Sequence, residues 1–158
     1  MNPTLYPSLS LQARWTTKPE LIPGVDFPNV RTASPSEARR EDLLIRKLGN
    51  RGWGRLHHFR NYYSQGWGER GNGRPLSPRS LEAFFRFLEI MPEPVRSAPK
   101  LFLTDQGHLE LCWKDEAGAA VQLEFTPSHT EFYLGASDQE GEIPHGSMAD
   151  LSRLLPSP

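Results

Sequence analysis

The spacing of apolar residues changes once along this chain, and that change constrains the fold more than any composition figure. Over residues 78–91, Leu81, Phe84, Phe85, Leu88 and Met91 stand at i, i+3, i+4, i+7 and i+10, the period of a helix with one buried face. Beyond Pro99 the period falls to two, which belongs to strands that turn alternate side chains inward. Four strands are predicted, at residues 101–104, 108–113, 120–125 and 131–134, joined by Asp105-Gln106-Gly107, residues 114–118 and Pro127-Ser128-His129. Connections this short require antiparallel neighbours. The fold expected is therefore α+β: an antiparallel four-stranded meander packed on one main helix, preceded by one or two N-terminal helices.

Local signals place the boundaries. Ser77 can cap the main helix and Pro78 suits its first turn, while Pro92 and Pro94 end it. Upstream, Ser34-Pro35-Ser36-Glu37 opens a second helix with a cap, an early proline and an acid at the positive helix end. Its Leu43, Leu44 and Leu48 form a short stripe with Ala38 and Ile45, and Gly49-Asn50 is read as its stop. A further short helix is expected over residues 53–63, carrying Leu56, Phe59, Tyr62 and Tyr63. After Gly135 the chain reads as acidic loop until a terminal helix over residues 147–155, with Ser147 as cap. Residues 1–33 hold Pro3, Pro7, Pro19, Pro23 and Pro28, too closely spaced for helix or long strand, and are expected to form an extended or disordered tail. Residues 34–155 then make one α+β domain.

Composition narrows the function classes. The single cysteine, Cys112, permits no internal disulfide, and no apolar run approaches the roughly 20 residues needed to span a bilayer. A soluble, cytoplasmic protein without membrane partners is expected. The net charge of −1 hides a polarity: residues 1–75 carry 12 Arg/Lys against 6 Asp/Glu (+6), and residues 76–158 carry 6 against 13 (−7). A basic first half can meet an acidic partner, or the two halves can neutralise each other.

Four candidate sites emerge. On the polar side of the predicted sheet, His108, Glu110 and Glu124, with Glu131, alternate as an acid/base or metal site would need, although amphipathic strands look like this without any site. No paired CxxC, HExxH or DxD spacing calls for a metal or a cofactor, and none is expected. Cys112 has no histidine locally spaced to activate it. The glycines Gly66, Gly68 and Gly71 match GxGxxG spacing but follow no strand and open no parallel unit.

The fourth candidate is compositional. Residues 31–74 interleave ten basic residues with Trp53, His57, His58, Phe59, Tyr62, Tyr63 and Trp67, against four acids. Arginine, tyrosine and tryptophan are the usual anchors of protein interfaces, and the same mixture can hold phosphates and stack bases. Ordinary packing of the rings, with arginines in water, fits too. The residues assigned to a partner are Arg55, Arg60, Tyr62, Tyr63, Trp67, Arg70 and Arg74.

Gly66-Trp67-Gly68, Pro75-Leu76-Ser77-Pro78 and the strand Gly107-His108-Leu109-Glu110-Leu111-Cys112-Trp113 occur here in fixed order. Over about residues 61–134 the chain resembles a widespread group of small uncharacterised bacterial proteins that share a Trp-Gly loop, a Pro-Ser-Pro helix start and a Gly-x-Leu-x-Leu-x-Trp hairpin. The acid usual after the Gly-Trp pair is displaced here to Glu69 by Gly68. The resemblance implies no activity, catalytic residue or cofactor; a role in a mobile-element, toxin-antitoxin or defence-related gene pair would suit so small and polar a protein. The function expected is a non-enzymatic protein-interaction module, antitoxin-like or inhibitor-like. The alternatives are a nucleic-acid-binding protein using the same segment and a hydrolase or metal enzyme on the polar sheet face.

Overall fold

A computed structural model of the chain describes residues 33–158; the predicted tail, apart from Ala33, lies outside the described residues. Helix α1 spans Pro35–Tyr62, and its start carries the expected capping box, with Ser34 Oγ accepting from the Glu37 amide and the Glu37 carboxylate accepting from the Ser34 amide. The helix predicted to stop at Gly49 resumes at once. Gly49 adopts φ 68°, a left-handed conformation that costs other residues energy, and the two segments of α1 meet there in a kink. Helix α2, Pro78–Ile90, is capped by Ser77 and begins with proline, as its sequence requires. Met91 falls at the C-cap.

Five strands follow, one more than the periodicity predicted: β1 Lys100–Leu103, β2 Leu109–Lys114, β3 Ala120–Phe125, β4 His129–Leu134 and β5 Gln139–Pro144. They form an antiparallel meander in sequence order. The fifth strand replaces the expected acidic loop. Only Ile143 on it is half-buried and the rest is exposed, so no alternation marked it; its backbone ladder with β4 makes it a strand. A 3₁₀ turn, His145–Ser147, leads into α3, Met148–Leu154, where Ser147 occupies the cap position but makes no capping hydrogen bond.

Helix α2 covers one face of the sheet, and α1 packs at the β1 margin. Leu109, Leu111, Trp113, Val121, Leu123, Phe125, Phe132 and Leu134 point inward and are buried with the rings of α2. Phe84 and Phe87 both pack on Phe125, with centroids 5.7 and 5.5 Å away. Two polar groups lock this layer. Ser80 Oγ, fully buried, accepts the Leu109 amide at 2.8 Å, and the buried Lys47 ammonium donates to the Met91 carbonyl at 2.6 Å and to Glu93 at 2.8 Å. The unit runs to the last residue rather than stopping at 155: the Pro158 carbonyl accepts the Val95 amide, and Pro156 accepts the Trp113 indole N–H.

Candidate functional site

The residues after the kink in α1 carry most of the partner-binding candidates, and helical geometry sorts them. With about 100° between successive residues, Arg51, Arg55, His58 and Tyr62 share a stripe about 60° wide, whereas Arg60 projects about 170° away from its centre. The structure therefore separates Arg60 from Arg55, which sequence adjacency had grouped. All four stripe residues are exposed, and Tyr62 is 73% accessible. The flank between the stripe and Arg60, with Leu56 and Phe59, is buried in the core.

Rings and cations order this surface. His58 lies 4.9 Å from Tyr62 and 5.4 Å from Tyr63, and Tyr63 continues to Phe59 at 5.3 Å and Trp67 at 4.6 Å. The Arg55 guanidinium sits over Phe59 at 5.5 Å and over Phe102 of β1 at 4.9 Å, so it also bridges helix and sheet. A hollow of about 430 Å³ between Asn50 and Tyr63 is lined by Arg51, Gly54, Arg55, His58 and Phe59. Arg51 and His58 lie in the basic, aromatic segment but were not among the residues assigned to a partner from sequence. The helical count applied to α2 would have found them, had it been applied to polar as well as apolar positions.

Trp67, by contrast, is committed to its own loop. Its indole N–H donates to the Arg74 carbonyl at 2.6 Å, and its backbone pairs with Gly73, where a side chain would run into the indole. The loop is thus a closed hairpin between two helices, followed by a wholly antiparallel sheet, and does not have the strand-to-helix setting of a dinucleotide site. It is tied to the β1–β2 turn by the Arg74 amide on Asp105 and the Ser77 amide on Gly107. Arg70 and Arg74 present exposed side chains from it.

The sheet face turned away from α2 carries the acid/base candidates. In register from β2 to β5, Glu110, Glu124, Glu131 and Glu142 form one row. His108 Nδ1 lies 2.8 Å from Glu124, whereas Glu110 accepts the Cys112 S–H at 3.0 Å. At the other end His129 Nε2 meets Glu131 at 3.1 Å and Glu142 at 3.4 Å. Only two members of the His108, Glu110, Glu124 trio touch, and among the described residues no three His, Cys, Asp or Glu side chains are grouped to hold a metal ion. Burial, then the bond to Glu110 and its charge, push the Cys112 thiol up to about 12, so at neutral pH it is a protonated thiol and a poor nucleophile.

No protein-family model, curated protein or solved structure matches the chain. Among the described residues no helix is long and apolar enough to cross a membrane.

Proposed function

We propose that this protein is a non-enzymatic interaction module that docks another protein on the exposed stripe of α1 after Gly49, in the manner of an antitoxin or inhibitor. The observation that carries the reading is Tyr62, a large ring left 73% exposed beside Arg55 and His58 on a helix whose other aromatic residues are partly or fully covered. Tyrosine and arginine on a rigid helix are the residues that dominate interface energies. The original residue set contracts accordingly: Arg55, Tyr62 and Tyr63 form the docking face with Arg51 and His58, Trp67 supports it through Tyr63, and Arg60 lies off it.

A nucleic-acid ligand would use the same arginines. The glutamate row beside Phe102, paired with Glu110 across β1 and β2, weighs against it by repelling a phosphate chain that ran beyond the stripe.

Co-purification from the native host tests the reading, with Tyr62→Ala as the disabled control. A partner recovered with the wild type and lost with Tyr62→Ala is the expected result. A wild-type chain that remains alone at native concentration overturns it.

A further inference from the structure

We infer that the hollow at Gly54 is a seat for a carboxylate on an acidic segment of the docked protein, held between the guanidinium groups of Arg51 and Arg55. This rests on the reading of α1 as a docking face and names the chemistry of what docks there.

The charges around the hollow are unbalanced. Arg51 and Arg55 are four residues apart, so their Cβ atoms lie about 5–6 Å from each other and their like charges oppose helix formation. Positions three and four residues to either side hold Lys47, Leu48, Gly52, Gly54, His58 and Phe59 besides the two arginines themselves, so no acid on the helix relieves them. No described carboxylate reaches either guanidinium. Among the described residues Arg40, Arg46, Lys47, Arg86, Arg96 and Arg153 meet carboxylates, whereas Arg51 and Arg55, like Arg60, Arg70 and Arg74, do not. Glu41, the nearest acid upstream that faces this half of the helix, is engaged by the Trp53 indole and His57.

The shape suits the charge. Nothing lies within 4 Å of where a Gly54 side chain would begin, so that part of the hollow's lining is open. Phe59 and Phe102 brace the Arg55 guanidinium from below. A planar carboxylate can accept paired hydrogen bonds from such a guanidinium, while Tyr62 offers a ring at the rim. Arg51 and Arg55 stand little more than one helical turn apart, and the glutamates of β2 and β3 begin across Phe102. A short acidic peptide fits between those limits better than a polyphosphate chain.

The test uses the full-length protein and fluorescence anisotropy with a labelled, capped decapeptide of alternating aspartate and serine. Its asparagine/serine counterpart and single-stranded decathymidylate serve as the other arms. The acidic peptide should bind, the amide peptide should not, and raising salt should weaken binding. Arg51→Gln with Arg55→Gln should lower affinity by about tenfold or more, as loss of charge-assisted hydrogen bonds does. Gly54→Leu, which fills that open part of the lining with a better helix former and keeps both arginines, should do the same. Arg60→Gln, off the stripe, should leave affinity within about twofold. Tighter binding of decathymidylate at equal salt, equal binding of both peptides, or an equal loss with Arg60→Gln overturns the inference. So does a native partner that survives the double arginine change and is lost with Tyr62→Ala; that outcome leaves the docking reading standing and removes only the carboxylate seat.

Discussion

Helix α2 and the part of α1 after Gly49 are of similar length and both rich in rings, yet they spend those rings differently. In α2, Phe84, Phe85 and Phe87 are buried against the sheet and its polar side holds Arg86 and Glu89. In α1, Leu56 and Phe59 suffice to attach the helix, and Tyr62, with the stacked Arg55, is left outside. A ring buried in the core is explained by folding alone, whereas an exposed ring among unpaired cations contributes little to folding. The contrast separates residues that make the fold from residues available to a partner.

Substitutions can break or sharpen that contrast. The largest effect expected is Phe84→Ala, which should destabilise the fold by about 3–5 kcal/mol in denaturant unfolding, whereas Tyr62→Ala should stay within about 0.5 kcal/mol. Comparable losses from both would erase the distinction. Next, Ser80→Ala should cost about 1–3 kcal/mol in the same measurement by leaving the buried Leu109 amide unpaired. Arg55→Gln should cost only about 0.5–1 kcal/mol through the rings it covers, measured in the same way.

The smallest effect is a pH dependence. The hydrogen bond from Lys47, with the charges of Lys47 and Arg46, outweighs desolvation and holds the Glu93 carboxyl below its ordinary 4.5. Because the folded value is the lower one, this pair stabilises the protein above pH 4.5, and the contribution fades as acid protonates Glu93. Glu93→Gln should flatten the acid limb of a stability–pH curve; an unchanged limb would show the pair to be inert.

The sequence disclosed what hydrophobic burial dictates. The stripe of α2, the inward positions of β2 and β3, and the caps Ser34 and Ser77 all follow from period and local chemistry. Strand β5 escaped because it contributes one half-buried side chain, and its hydrogen-bond ladder leaves no trace in an apolar pattern. The kink escaped because Gly49 looks the same whether a helix ends there or turns and resumes. At the proposed site, composition pointed to the segment but could not sort its residues. Arg60 was grouped with Arg55 by proximity along the chain, and Trp67 was counted as a partner anchor although its indole closes the Gly66–Gly73 hairpin. Both distinctions depend on direction, which residue counts do not contain.

The outermost strand has one more consequence. With Glu140 and Glu142 exposed along it and Pro144 at its end, β5 is a poor template for an incoming strand. At the opposite margin, the four-residue β1 is packed against α1. The meander is thus terminated by charge on one side and by a helix on the other, which favours recognition by side chains over polymerisation through backbone.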